Sequence, residues 1–230
     1  MKAAVYTGSR NLYVDMAVAV KSLLINSDVE KVYLLIEDDD FPFILPGCVR
    51  IINVSNQNIF RADGPNMRSR YTYFAMMRAA LAFILPDLNT VLSLDVDTIV
   101  DKDISDLWDL PLGNEYYFAA SKEAHRSYAG LIYTNMGVTL FNLEKLRKGK
   151  AGEVIHALNN QWFNWVEQDA FNYLCQGGIL EMPSCYNVNT WTEKTDDQRI
   201  LHYAGIKEYQ SFAGYLKYQG IPFSDIRRTK

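Results

Sequence analysis

The chain has 230 residues, 49% of them hydrophobic and 22% charged, with a formal net charge of −4. It holds enough apolar material for a large core, which excludes disorder, and the acidic balance argues against nucleic acid as the main partner. No 18-residue apolar run and no leader pattern is visible, so a soluble, cytoplasmic protein without stable membrane insertion is expected.

The elements follow in chain order. Residues 2–7 (KAAVYT) predict a short apolar strand, and the loop Gly8-Ser9-Arg10-Asn11 turns it into a helix over about 12–26, with apolar spacing at Met16, Val20, Leu23 and Leu24. Strands are expected at 31–37 and 49–54. This βαββ opening is similar to nucleotide-binding α/β halves, although it carries no GxGxxG. The polar stretch 56–70, with Gly64-Pro65, is the expected mobile or acceptor-facing loop. A helix over 71–85 ends at Pro86 and carries Arg78, which periodicity alone reads as a surface arginine. After the strand that follows, a short helix is expected at 104–110, capped by Asp101 or Asp103. Further strands at 116–120 and 137–142 flank a polar segment with His125 and Asn135. Helices at 143–149, 152–160 and 167–175, a strand at 179–182, and a polar, tyrosine-rich end complete the order. Cys48, Cys175 and Cys185 lack metal-ligand or CxxC spacing and read as free thiols.

The stretch 91–100, VLSLDVDTIV, organises the rest. Its first residues are apolar on both faces and too short for a helix, so they read as a buried strand of a parallel sheet. Asp95 and Asp97 then emerge where that strand ends, at the edge where open α/β sheets bind ligands. Two hard oxygen ligands suit Mg²⁺ or Mn²⁺ when phosphate and water complete the shell. A strand followed by Asp-x-Asp-x-Thr also fits the nucleophile loop of haloacid-dehalogenase-like Mg²⁺-dependent phosphohydrolases, with Asp95 as nucleophile. A turn or cap role for either acid is the plain alternative.

Taken together, VYTGSRNLYVDMAVAVKSLL, MMRAALAFILPDLNTVLSLDVDTIV, DISDLWDL, TNMGVTLFNLEKLRKG, EQDAFNYL and HYAGIKEY resemble a family 8 retaining glycosyltransferase of the GT-A fold. That group includes glycogenin and the bacterial lipopolysaccharide galactosyl- and glucosyltransferases. The resemblance implies an α/β fold with a Rossmann-like mixed sheet, mostly parallel and flanked by helices. One catalytic domain over 1–230 is expected, with a nucleotide-binding part at about 1–100, an acceptor and metal-closing part at about 101–210, and a short tail with Arg227, Arg228 and Lys230.

The implied activity is transfer of a hexose, glucose or galactose, from a UDP-sugar to an acceptor hydroxyl on a glycan, glycolipid or protein, dependent on Mn²⁺ or Mg²⁺. A nucleotide-sugar-binding domain without transfer activity is the other alternative. Asp95, Asp97 and His202 match the metal ligands, and Val96 lies between the two acids. Thr7, Ser9 and Asn11 match the base and ribose pocket, with Tyr13 as the stacking ring displaced by one position and Leu12 in its place. Arg78 matches the helix arginine that contacts the donor, while Gly205 and Lys207 match the diphosphate loop. Asn135, Glu167 and Gln168 are expected along the sugar, and Gln168, Asp169 and Arg78 in catalysis. Glu167 stands where the family has Asp, and the Gly205 to Lys207 spacing is one residue short of the usual.

Overall fold

Nine strands and six α-helices are described. In chain order they are β1 (Ala3–Thr7), α1 (Tyr13–Ile25), β2 (Lys31–Ile36), β3 (Val49–Asn53), α2 (Tyr73–Ile84), β4 (Thr90–Leu94), β5 (Thr98–Val100), β6 (Phe118–Lys122) and β7 (Thr134–Asn142). There follow α3 (Leu143–Arg147), α4 (Lys150–Asn160), α5 (Val166–Leu174), β8 (Ile179–Met182), β9 (Ile200–His202) and α6 (Ala213–Gln219). The structure is a computed structural model and describes residues 1–69, 71–124, 130–192 and 195–226. Arg70, His125, Arg227, Arg228 and Lys230 lie outside the described residues.

The main sheet has the strand order β3-β2-β1-β4-β7-β6-β8. Strand β7 runs antiparallel to its neighbours β4 and β6, and every other pairing is parallel. It is therefore the mixed, mostly parallel sheet that was expected. The alternation of side chains divides the core. Ala3 and Val5 of β1 enter the cluster under α2, α4 and α5, whereas Ala4 and Tyr6 enter the cluster under α1. The strand order reverses at β1, so the loops after β1 and β4 diverge and leave a crevice above their carboxyl ends.

Helix α1 is buried on almost every side, because the sheet covers one face and the tyrosine-rich end of the chain covers the other. That end is not a polar tail. Tyr215 and Tyr218 of α6 join Val18, Ile99, Tyr203 and Tyr209 in a third apolar cluster, and burying each ring contributes on the order of 1.5–3 kcal/mol. Residues 56–69, expected as a mobile or acceptor-facing loop, are anchored rather than mobile. Phe60 enters the core, and the Asn66 amide donates to the carbonyls of Leu158 at 2.6 Å and Gln161 at 2.7 Å. The Asn159 Oδ1 atom accepts from the Arg61 amide.

A second sheet of two short strands does most to build the site. Strand β9 pairs antiparallel with β5, and the register sets His202 opposite Thr98. Residues far apart in the sequence thus become cross-strand neighbours just past the aspartates.

Candidate active site

Asp95 and Asp97 occupy the turn between β4 and β5, and this turn is stapled on both sides. The Asp95 amide donates to the Gly137 carbonyl at 2.8 Å, and the Tyr203 amide donates to the Asp97 carbonyl at 2.9 Å. The Thr98 hydroxyl donates to the Asp95 carbonyl. His202 Nε2 lies 3.5 Å from Asp95 Oδ2 and 3.4 Å from Asp97 Oδ1. One ligand atom from each of the three residues lies within 4.8 Å of the other two. Two carboxylates and an imidazole form a hard, mixed oxygen and nitrogen donor set, which fits Mn²⁺ or Mg²⁺ better than a soft thiolate-seeking ion. Burial pushes the Asp97 carboxyl up, but the neighbouring His202 imidazole, with Arg78 beyond, outweighs it and holds the group below the usual carboxylate range.

His202 can sit here because residue 137 is glycine. A Cβ at Gly137 would lie 2.1 Å from His202 Cε1, far inside contact distance. The imidazole therefore packs directly on the β7 backbone.

Arg78 is buried in α2, contrary to the surface position that periodicity alone predicts. Its guanidinium donates to Asp95 Oδ1 through Nη2, and to Glu167 Oε1 at 2.8 Å through Nη1. One fork thus ties the acidic turn to the start of α5. Burial pushes the Glu167 carboxyl up, against the opposing pull of Arg78. Val166 enters α5 with φ of 45°. A left-handed conformation at a buried β-branched residue costs about 1–3 kcal/mol and is held only by its surroundings. It sits immediately before Glu167 and Gln168.

A cleft of about 650 Å³ opens over these groups, within the range typical of small-molecule sites. The walls include Thr7, Arg78, Asp95, Val96, Asp97, Asn135, Glu167, Gln168, His202 and Gly205, all singled out in the sequence. The Gln168 amide is fixed at both ends, its Oε1 accepting from the Met136 amide at 3.1 Å and its Nε2 donating to Glu123 Oε2 at 3.2 Å. Gly205 uses φ of 70°, a conformation glycine adopts without strain.

Five expected residues are not brought to the cleft. Ser9 and Asn11 are spent on each other, the Ser9 hydroxyl donating to Asn11 Oδ1 at 2.6 Å. The Tyr13 ring is buried against Phe41 and its hydroxyl donates to Asp38, so it offers no face to a base. Leu12 lines the wall in its place, beside Gly8, Phe74 and Val96. Lys207 is exposed and outside the lining. Asp169 uses both carboxylate oxygens behind the wall, accepting from the Tyr133 hydroxyl and from the Trp165 amide.

Other residues of the cleft carried no sequence signal that single-chain reasoning could weigh. Glu123 lines it from the end of β6, and Tyr71, Trp165 and Trp191 give it aromatic walls. The high aromatic content, 13% of the chain, was the one hint of those rings.

Comparison with known proteins agrees with this geometry. The sequence matches the model of the family described as Glycosyl transferase family 8 over residues 5–208. Among curated relatives, a Haemophilus influenzae protein named as a glycosyltransferase is 27% identical over 150 residues, 56% of this chain and 44% of that protein. A probable glycosyl transferase of Streptococcus gordonii is 24% identical over 182 residues, 70% of this chain and 26% of that protein. The chain therefore matches less than half the length of either curated relative. Among solved structures, an active-site mutant of LgtC superposes with a TM-score of 0.71 at 20% identity, covering 94% of this chain and 93% of that one. The galactosyltransferase LgtC with donor and acceptor sugar analogues gives 0.67 at 19% identity, covering 95% of both chains. The glycosyltransferase GlyE of Streptococcus pneumoniae gives 0.68 at 23%, covering 98% of this chain and 62% of that one. The likeness to these structures is one of fold. The family match runs through nearly the whole sheet and takes in both aspartates and His202, and on that ground the chain belongs to glycosyl transferase family 8.

Proposed function

We propose that the chain transfers a hexose, glucose or galactose, from a UDP-sugar to an acceptor hydroxyl with retention at the anomeric carbon, in the presence of Mn²⁺ or Mg²⁺. The observation that carries this reading is the convergence, in one cleft, of the Asp95, Asp97 and His202 donor set with Arg78 and the fixed amide of Gln168. Asp95, Asp97 and His202 would hold the cation, which when bound supplies Lewis-acid charge neutralisation to a diphosphate leaving group.

The remaining work falls to side chains. Arg78 adds fixed positive charge beside the acidic turn, in a geometry its two ion pairs hold rigid. Gln168 presents an oriented dipole toward the sugar, and its carbonyl can stabilise positive charge developing at the anomeric carbon. Asn135 and Glu167 border the same space. Asp169 acts through Trp165 and Tyr133, as a brace for the wall. Thr7 and Val96 flank the nucleoside, and Gly205 lets backbone approach the diphosphate; Ser9, Asn11, Tyr13 and Lys207 reach these groups only if the segments that carry them move. The leaving phosphate itself takes the acceptor proton, because among the described residues no side chain is positioned as the base.

The aromatic walls favour a sugar as acceptor. Tyr71 and Trp165 meet at a centroid distance of 5.9 Å, and Trp191 is half exposed at the rim. Rings so placed stack on the apolar faces of pyranoses. The phosphohydrolase reading of Asp95 loses ground, since Oδ1 is engaged by Arg78 and Oδ2 faces His202.

A thermal-shift panel of UDP, UDP-glucose, UDP-galactose, UDP-GlcNAc and GDP-mannose, each with Mn²⁺ and with EDTA, tests the donor. Ligand at about 100 times its Kd adds ~2.7 kcal/mol. A metal-dependent shift with one UDP-sugar is expected, and no shift with any nucleotide would overturn the reading.

A further inference from the structure

The structure assigns Asn187 as the residue that fixes which nitrogen of His202 carries a proton, and so keeps Nε2 open toward Asp95 and Asp97. This inference rests on reading those three residues as cation ligands.

Asn187 is buried, immediately after Tyr186, and its Oδ1 lies 2.8 Å from His202 Nδ1. Amide oxygen and nitrogen look alike, but here the polarity is forced from both ends. The Gly137 backbone N–H can only donate, and it lies 3.0 Å from an Asn135 amide atom, which must therefore be Oδ1. The other Asn135 amide atom, Nδ2, donates to Glu123 Oε2 at 3.0 Å, and a carboxylate oxygen accepts. The Asn187 atom 3.0 Å from Asn135 Oδ1 must then be its nitrogen. Its oxygen is left to face His202, so Nδ1 holds a proton and donates it. In the neutral ring the lone pair then resides on Nε2, the atom aimed at both aspartates.

The backbone reinforces the alignment. The His202 N–H donates to the Val188 carbonyl at 2.8 Å, so the two residues after Tyr186 grip both ends of the histidine. Without Asn187 the neutral ring gains by moving its proton to Nε2, where it would donate to the carboxylates and block the cation. Partners of this kind typically account for about 10- to 100-fold in metal affinity.

The test uses long-range proton–nitrogen NMR on the ¹⁵N-labelled full chain, which has only three histidines; the spectrum of His202→Gln assigns the signal. In the unsubstituted protein the His202 Nδ1 proton is expected to be present, and a ring with a bare Nδ1 would overturn the proposal outright, whatever happens to any variant. In Asn187→Leu the proton is expected to leave Nδ1, and Mn²⁺ affinity read by electron paramagnetic resonance is expected to fall about 10- to 100-fold. Asn187→Asp, which keeps an acceptor at this atom, should retain the Nδ1 proton. A leucine variant that keeps both the Nδ1 proton and wild-type Mn²⁺ affinity would sink the assignment. Neither readout needs a sugar donor, so an unsuitable nucleotide leaves the test intact, whereas an unsubstituted protein that binds no Mn²⁺ would fail the cation-site reading itself.

Discussion

The two ends of the cleft are built differently. At the end formed by the turn after β4, polar side chains are held: Asp95 by Arg78, His202 by Asn187 with Gly137 beneath it, and Gln168 by Glu123 and Met136. At the end formed by the loop after β1, the wall is Gly8, Leu12, Phe74 and Val96, and the nearby polar groups Ser9 and Asn11 satisfy each other. The contrast shows where precision is required. Charge stabilisation during group transfer falls off steeply with misplacement, whereas a planar base can be accommodated by an apolar slot and dispersion.

The largest break in that contrast should come from Asp97→Asn. It removes one anion of the proposed donor set and should lower turnover by several kcal/mol in barrier, about 100-fold or more; assays across a Mn²⁺ titration check this, and full metal-dependent activity would refute the ligand set. Next comes Arg78→Ala, which strands the buried Glu167 carboxylate and frees Asp95. Its expected cost is about 3–5 kcal/mol of folding stability, read by denaturant titration. Arg78→Lys, with one donor point in place of a fork, should recover only part.

Gly137→Ala drives a methyl into the His202 ring and should cost about 1–3 kcal/mol, with weaker Mn²⁺ binding as its specific mark. Trp191→Ala should raise the acceptor KM several-fold, about 0.5–1.5 kcal/mol, while the donor thermal shift stays unchanged. Smallest of all should be Ser9→Ala, within about 0.5 kcal/mol in stability and near neutral in donor affinity. A large loss there would show that the loop after β1 rearranges around the base and would erase the contrast between the two ends.

Much of the framework was legible in the sequence. The strand at 179–182 matches β8 residue for residue, and the first helix, expected over 12–26, lies at Tyr13–Ile25. Apolar periodicity reports such elements because the sheet buries them so evenly. The strands β5 and β9 were not legible, since three residues each are too short for any period and their pairing is wholly long-range. His202 came only from the resemblance. Periodicity misjudged Arg78, because α2 is buried on every side from Met76 to Ala82 and a charged residue there is satisfied by partners from other elements. Tyr13 lies outside the cleft lining for a local reason, since its hydroxyl meets Asp38 and the helix turn leaves Leu12 at the cleft. Asn187 and Glu123 are single polar residues whose roles exist only once the sheet edges meet.

The pairing of β5 with β9 has a further consequence for how the protein is made. Asp95 and Asp97 leave the ribosome well before His202, which follows only after β6, β7, α5 and β8 have been synthesised. Contacts so distant in sequence form late, after the local ones. A nascent chain therefore carries an unfinished acidic turn, and Asp95, Asp97 and His202 come together only after β9 has been synthesised and paired with β5.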